Sequence, residues 1–170
     1  MGTELHQAAA GRPSLRVAVL TLSDTRTPET DQGGNLIQEL LAGAGHQIVH
    51  YAVLKDDPAL LRHTAAMLAD RGDVQALLTT GGTGIAKRDS TYEALAGLLE
   101  KRLDGFGELF RMLSYQEVGP AAMLSRATGG VYRGMLIFCM PGSPGAVRLA
   151  MEKLILPELP HLVWELRKQP

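Results

Sequence analysis

A glycine-rich run, Thr79-Thr80-Gly81-Gly82-Thr83-Gly84, carries the residue types best suited to binding a ligand. Glycine lets the backbone turn sharply and approach a ligand closely, and the N–H groups of such a loop can surround phosphate oxygens. The threonine hydroxyls add further donors. The spacing matches neither a Walker P-loop nor a dinucleotide-binding fingerprint. The run therefore indicates either a phosphate-binding loop or a strand-to-helix turn that needs positive φ.

Two aspartates are candidates for catalysis or metal binding beside such a phosphate. Asp89 follows the glycine run, after Lys87 and Arg88, and Asp56 lies earlier in the chain. A carboxylate near phosphate needs an intervening cation, and Mg²⁺ is usually held by one or two carboxylates together with phosphate oxygens. If the strands that carry them adjoin, Asp56 and Asp89 face one Mg²⁺. The alternative for Asp89 is a role at the start of the next helix.

Polar or glycine-containing loops follow two further predicted strands. Ser23 and Asp24 come after the first strand, in a long loop of the kind that is often functional, although both are also common turn residues. Pro141-Gly142-Ser143-Pro144 follows the last strand, with Ser143 placed to cap a helix and Pro144 at its first position. A helix N-terminus also attracts anions. Both loops are therefore candidate ligand-binding segments.

The elements that position these loops alternate between strand and helix. Apolar runs predict strands over residues 15–22, 46–54, 74–79, 125–131 and 134–140, and helical patterns cover 33–45, 57–72, 91–99, 106–118 and 145 onward. Ser90 and Glu93 have capping-box spacing, and Pro157 and Pro160 predict a break in the last helix. Such alternation predicts an α/β fold with a mostly parallel sheet, in which ligands bind beyond the carboxyl ends of the strands.

Composition indicates a folded protein of ordinary charge. The 170 residues carry a formal net charge of −1 and no basic run, which argues against nucleic acid as a partner. We expect a flexible tail over residues 1–14 and a single domain over 15–170, with no membrane span or signal peptide and a cytoplasmic location. Cys139 lies in an apolar run and is predicted to be a buried, inert thiol. His46 and His50 are predicted in a strand, too far apart to chelate one ion.

In combination, these motifs identify a family. The chain resembles the MoaB/MogA family of molybdenum cofactor biosynthesis proteins, most closely its MoaB branch, from about Leu15 to Pro157; related domains occur in gephyrin and its plant counterpart. Besides the glycine run, the resemblance rests on Arg88-Asp89, Gly105-Phe106-Gly107-Glu108, Phe110-Arg111, Ser114, Ser125-Arg126 and Met140-Pro141-Gly142-Ser143. Tyr92 departs from the proline that relatives often have there, which alters only the start of a helix.

The resemblance implies a three-layer αβα sandwich, the molybdopterin-binding fold, and a specific reaction. Active members adenylylate the terminal phosphate of molybdopterin with MgATP and release pyrophosphate, while other members bind without chemistry or serve as scaffolds for other enzymes of the pathway. The family forms trimers and the MoaB branch often hexamers, for which an apolar helix such as Phe106 to Leu113 offers a contact. Whether molybdenum or tungsten is the final metal stays open.

Individual residues inherit expected roles from the same resemblance. Asp56 and Asp89 are expected to be catalytic residues linked to Mg²⁺. The expected ligand-binding residues are those of the glycine loop, of the loop after the first strand and of the presumed pterin side: Thr80, Gly81, Gly82, Thr83, Gly84, Ser23, Asp24, Ser114, Pro141, Gly142 and Ser143.

Overall fold

Strands form one mixed sheet in the order β2-β1-β3-β6-β5-β4 within residues 13–168, the part of the chain that the computed structural model describes. Of the expected tail over residues 1–14, all but Pro13 and Ser14 falls outside that range. The pairs β1–β2, β1–β3 and β3–β6 are parallel, and β5 pairs antiparallel with β6 and β4. The strands are β1 (Arg16–Leu22), β2 (Gln47–Leu54), β3 (Ala76–Thr80), β4 (Lys101–Arg102), β5 (Thr128–Tyr132) and β6 (Met135–Met140).

Helices cover both faces of this sheet and confirm the predicted αβα sandwich. One face packs against α1 (Gln32–Gly43), α4 (Asp104–Val118), α5 (Pro144–Ala150) and α6 (Leu156–Arg167), and the other against α2 (Pro58–Asp70) and α3 (Thr91–Ala96). Successive strand residues point to opposite faces. Val17 and Val19 therefore pack into the first core, and Ala18 and Leu20 into the second. Burial on both faces explains why the parallel strands are continuous apolar runs.

The parallel strands place four loops at one edge of the sheet. The carboxyl ends of β1, β2, β3 and β6 point the same way, so residues 23–31, 55–57, 81–90 and 141–143 meet there. The strand order reverses between β1 and β3, because the chain passes from β1 outward to β2 and then returns to β3 on the other side of β1. Ligands of open α/β sheets bind at such a switch point.

Hydrogen bonds and backbone angles explain where several helices begin and end, and two predictions, the Ser143 cap and the buried Cys139, are confirmed. Asp57 caps α2 by accepting from the N–H groups of the second and third residues that follow it, and Ser143 caps α5 by accepting from Ala146. Gly45 ends its helix with a positive φ of 83°. Cys139 is fully buried and unpaired, and burial raises the pKa of its thiol to about 12, as expected of an inert group.

The capping box predicted at Ser90 and Glu93 is wrong. The Ser90 side chain makes no capping hydrogen bond, and the Glu93 carboxylate instead pairs with Arg126, whose guanidinium also lies 4.5 Å from the ring centre of Tyr92. A long-range ion pair thus takes the carboxylate that the local pattern assigned to the helix start. Helix α3 is correspondingly short and ends at Ala96, before the strand β4 that the sequence analysis missed.

The break predicted at Pro157 and Pro160 is also wrong. The last helical segment changes earlier, in a π-helical turn over Met151–Ile155, and α6 then continues through Pro160. A proline inside a helix costs about 3 kcal/mol. Burying a leucine or valine contributes about 1.5–3 kcal/mol each, and the buried Leu159 and Val163 on this helix offset the cost.

A 3₁₀ helix over Gly119–Leu124 follows α4. Across residues 13–168, no helix is long and apolar enough to cross a membrane.

Candidate ligand site at the carboxyl edge of the sheet

The glycine loop adopts a backbone that few other residues tolerate. Gly81 and Gly82 have φ values of 92° and 64°, in the left-handed region. A Cβ on Gly81 would overlap the carbonyl oxygen of Leu22, and one on Gly82 would overlap the Asp56 carboxylate and the Thr91 hydroxyl. The turn interpretation is therefore correct, and it is compatible with ligand binding because the backbone of Gly82 and Gly84 is not fully buried.

Thr80 joins the glycine loop to the loop after β6. It is the last residue of β3, is buried, and donates its hydroxyl to the Pro141 carbonyl at 2.9 Å. The Gly81 N–H donates to the Met140 carbonyl at 3.2 Å, and Gly142 lies so close that a Cβ on it would sit 3.2 Å from the Gly81 Cα. The Thr80 hydroxyl thus fastens the two loops together. Thr83 is buried as well.

Asp56 and Asp89 lie beside successive glycines of this loop. Strands β2 and β3 do not adjoin, since both pair with β1, but the loops after them converge. Asp56 Oδ1 sits against Gly82, and the Asp89 carboxylate sits against Gly84 while Oδ2 accepts from the Ala86 N–H at 3.2 Å. Asp56 Oδ1 is buried and has no hydrogen-bond partner within residues 13–168.

Negative charge accumulates around Asp56. Burial raises the pKa of its carboxyl, the charges of Asp24 and Asp89 raise it further, and the Arg88 guanidinium opposes them. Asp24 is held beside Asp56, because Asp24 Oδ1 accepts a hydrogen bond from the Asp56 backbone N–H at 3.2 Å. Carboxylates that repel one another are stabilised by a cation. Mg²⁺ fits this donor set, because it takes one or two carboxylates and completes its octahedron with water and phosphate oxygens.

A complete protein cage for a metal ion is absent from the described part of the chain. No group of three or more His, Cys, Asp or Glu side chains lies close enough to hold one. His46 does not lie in β2 as predicted but just before it, while His50 is within the strand. A cation at Asp56 and Asp89 would therefore complete its coordination with water and with oxygens of the ligand.

The two candidate residues of the loop after β1, Ser23 and Asp24, have different surroundings. Ser23 Oγ accepts from the N–H groups of Thr25 and Arg26 at 3.3 and 3.1 Å, which is the geometry of a serine turn. This supports the turn alternative for Ser23. Asp24 is exposed and faces the site through its hydrogen bond to Asp56.

Ser114, Pro141 and Ser143 come together at a second part of the edge. They line a cavity of about 240 Å³ between α4 and the start of α5, together with Glu117, Val118, Leu124, Ser125, Gly145, Ala146 and Leu149. The contact of Gly142 with Gly81 connects this cavity to the glycine loop. The expected site residues thus form two adjoining parts, one acidic and one lined by hydroxyls.

Three further residues of this region were not among the site residues expected from the sequence. Asp31 is buried, caps α1 by accepting from the Gly34 N–H at 2.9 Å, and accepts from the Tyr51 hydroxyl at 2.7 Å. Thr91 is buried and donates its N–H to the Gly82 carbonyl at 3.0 Å. Arg88 supplies the nearby positive charge. Asp31 lies three residues before Gly34, a spacing that could have indicated the cap.

Comparison with known proteins supplies the family. Residues 18–161 match a family model described as a probable molybdopterin binding domain. The chain belongs to the MoaB/MogA family. Among MoaB/MogA relatives, molybdenum cofactor biosynthesis protein B of Halalkalibacterium halodurans is 50% identical over 169 residues, which is 99% of each chain.

Solved structures agree with that assignment. A crystal structure of a molybdenum cofactor biosynthesis protein B superposes with a TM-score of 0.90 at 52% identity, covering 94% of this chain and 99% of that one. A tungsten cofactor synthesizing protein MoaB from Pyrococcus furiosus superposes with a TM-score of 0.81 at 37% identity, covering 91% and 98%. The sequence and structure comparisons therefore agree on one family of molybdenum cofactor biosynthesis proteins, and the chain shares the fold of that family.

Proposed function

We propose that this protein binds molybdopterin at the carboxyl edge of the sheet and adenylylates its terminal phosphate with MgATP. The observation that carries the proposal is that Asp56 and Asp89 lie against one glycine loop, with Asp24 held beside them by its hydrogen bond from the Asp56 backbone N–H. Structural turns do not need such a concentration of negative charge, whereas a cation bound with nucleotide phosphates does. The family's function in the same pathway supports the choice of pterin.

The proposed reaction is a nucleotidyl transfer. An oxygen of the pterin's terminal phosphate forms a bond to the α-phosphorus of ATP, and the bond from that phosphorus to the bridging oxygen of the β-phosphate breaks. Pyrophosphate leaves with the electron pair of the broken bond. Such a transfer needs in-line positioning and charge stabilisation rather than a protein nucleophile. This agrees with a site whose polar side chains are carboxylates, hydroxyls and one guanidinium.

Each part of the site has a task in this proposal. Asp56 and Asp89 hold Mg²⁺, which supplies neutralisation of phosphate charge when bound. The N–H groups of the glycine loop contact phosphate oxygens, and exposed Arg88 offers a further positive charge. Ser114 and Ser143, in the adjoining cavity, contact the pterin side.

An activity assay tests the proposal. The purified protein is incubated with molybdopterin, ATP and Mg²⁺, and adenylylated pterin and pyrophosphate are quantified. We expect both products in equal amounts. The proposal fails if the protein makes neither while an active relative does so under the same conditions. Pterin binding without product would then assign it as a carrier or scaffold of the pathway. Use of ATP would fit the cytoplasmic location expected from the sequence.

We propose further that the protein is a homo-oligomer, a trimer or hexamer, assembled through α4. Phe106 and Phe110, expected to contribute to this contact, are buried in the protein's own core. Helix α4 and the 3₁₀ helix after it nevertheless expose large apolar side chains on their outer surface: Leu109, Met112, Tyr115, Val118, Met123 and Leu124. Exposed large apolar side chains in this number are typical of a protein interface, although Val118 and Leu124 also line the cavity beside Ser114.

A further inference from the structure

Thr91 has a buried hydroxyl that the helix it begins does not use. The residue is 1% exposed and is the first of α3. Its N–H is satisfied by the Gly82 carbonyl at 3.0 Å. Its Oγ1 is buried and forms no hydrogen bond within the described residues. A buried hydroxyl left unpaired is costly, so its surroundings are informative.

The buried oxygen of Asp56 shares the same space. Thr91 Oγ1 and Asp56 Oδ1 both lie where a side chain on Gly82 would begin, so the missing Cβ of this glycine leaves room for the two oxygens together. Asp56 Oδ1 is likewise buried and without a partner in residues 13–168. A hydroxyl hydrogen rotates freely, and an ionised carboxylate only accepts. Both oxygens would overlap that one Cβ position, so they are close neighbours.

We propose that Thr91 is a positioning residue, whose hydroxyl donates to Asp56 Oδ1 across Gly82 and leaves Oδ2 free for a cation. The importance of this contact for catalysis rests on the proposed function. The hydrogen bond itself is a feature of the fold and does not depend on the proposed function. A hydrogen bond to a charged acceptor is stronger than one between neutral groups, so it restricts the carboxylate to one orientation.

A purely structural role for Thr91 makes a different prediction. If the residue only fills space at the start of α3, then Thr91→Val, which has nearly the same shape, leaves Asp56 unaffected. If the hydroxyl orients Asp56, valine disturbs the carboxylate and Thr91→Ser restores it. Thr64 provides a matched control, because it is a buried threonine whose hydroxyl donates to the Leu60 carbonyl within α2, at 2.9 Å.

The test compares the wild type with Thr91→Val, Thr91→Ser and Thr64→Val by two measurements that do not require turnover. The first is Mn²⁺ affinity, measured by electron paramagnetic resonance without nucleotide. The second is the ¹³Cγ chemical shift of Asp56, assigned with Asp56→Asn. We expect Thr91→Val to weaken Mn²⁺ binding by about tenfold and to move the Asp56 signal. Thr91→Ser and Thr64→Val should resemble the wild type in both measurements.

An unchanged Asp56 signal in Thr91→Val overturns the inference, and so does a serine variant that behaves like valine. If valine prevents folding, Thr91→Cys, which has a weaker donor, takes its place and should show a smaller change in the same direction. Failure of the proposed function is distinguishable, because it appears as a wild type that makes no adenylylated pterin. In that case, or if the wild type does not bind Mn²⁺, the Asp56 signal still decides whether Thr91 orients the carboxylate.

Discussion

Asp56 combines two properties that a purely structural aspartate rarely has. One of its oxygens is buried without a partner in the described structure, and two further carboxylates raise its pKa. Asp57, the next residue, has the ordinary role of a helix cap. Of these two adjacent aspartates, Asp57 therefore has a structural role and Asp56 has the proposed chemical role. Their environments, rather than their identities, distinguish them.

Replacing either proposed metal ligand should separate binding from chemistry. We expect Asp56→Asn and Asp89→Asn to lower the rate of adenylylation by about 100-fold or more, since each removes charge that stabilises the transfer. Pterin affinity, measured by fluorescence titration, should change little, because the pterin is proposed to occupy the cavity lined by Ser114 and Ser143. Full activity in both variants would contradict the assignment of these carboxylates.

Gly82 should tolerate no side chain. Gly82→Ala forces a Cβ into the Asp56 carboxylate and the Thr91 hydroxyl at a positive φ. We expect it to destabilise the protein by about 1–3 kcal/mol, measured by urea denaturation. Gly105→Ala is the control: it lies in α4 with nothing within 4 Å of its added Cβ, and alanine favours helix. Equal effects of the two substitutions would show that the crowding at Gly82 is unimportant.

At the scale of elements, the ends of strands and helices are fixed by a mixture of local and distant contacts. Asp57 and Ser143 cap their own helices, as their sequence contexts predict. Asp31 caps α1 but is also held by Tyr51 from β2, and burial together with this hydrogen bond raises the pKa of Tyr51. Glu93 is drawn away from its own helix by Arg126. A spacing rule succeeds where no distant group competes for the side chain.

The junction between β1 and β2 should make stability depend on pH. His46 Nδ1 accepts from the Leu15 N–H at 3.3 Å, which requires an unprotonated nitrogen, and burial lowers the pKa of His46. A lowered folded pKa means that the unfolded chain binds more protons below about pH 6.5, so stability falls as the pH falls. His50, whose pKa is also lowered, contributes in the same direction.

We therefore expect the free energy of unfolding to decrease between pH 7 and pH 5. Part of this decrease should disappear in His46→Gln, which does not titrate, and the measurement is urea denaturation at a series of pH values. The variant His63→Gln, at an exposed histidine on α2, provides the control for the substitution itself. A profile that is identical in the wild type and His46→Gln would contradict this account.

At the scale of the molecule, the sheet order brings the loops of the candidate site together, and the exposed surface of α4 carries the proposed subunit contact. The outer side of α4 and the following 3₁₀ helix expose Met112, Tyr115 and Met123 by 51%, 61% and 82%. Such exposure of large apolar groups disfavours an isolated monomer in water. The same helix contributes Ser114 to the cavity, so the proposed subunit contact and the candidate ligand site share one element.

Charge on this surface should dissociate the oligomer. We expect Met112→Glu and Tyr115→Glu to shift the protein toward monomer in sedimentation velocity, because a carboxylate is costly to bury in an apolar interface. Met67→Glu places the same charge on α2, at a residue of similar exposure, 44%, on the opposite layer. This variant serves as the control, because a trimer assembled through α4 should not be dissociated by a charge on α2. If Met67→Glu alone dissociates the assembly, α2 rather than α4 forms the contact.

The sequence by itself determined the α/β class, most element positions and the candidate loops, because apolar periodicity, turn residues and helix caps act over a few neighbouring residues. Motif resemblance added the family, which the comparisons confirm. Only the tertiary structure decided that the Asp56 N–H donates a hydrogen bond to Asp24. Only the tertiary structure decided, too, that side-chain oxygens of Thr91 and Asp56 both lie against Gly82. The physical reason is the strand order: β1 lies between β2 and β3, so loops far apart in the chain meet around the glycine loop. The glycine run turns with positive φ at Gly81 and Gly82, which is one of the two alternatives that its composition left open, and its geometry depends on neighbours that no local pattern contains.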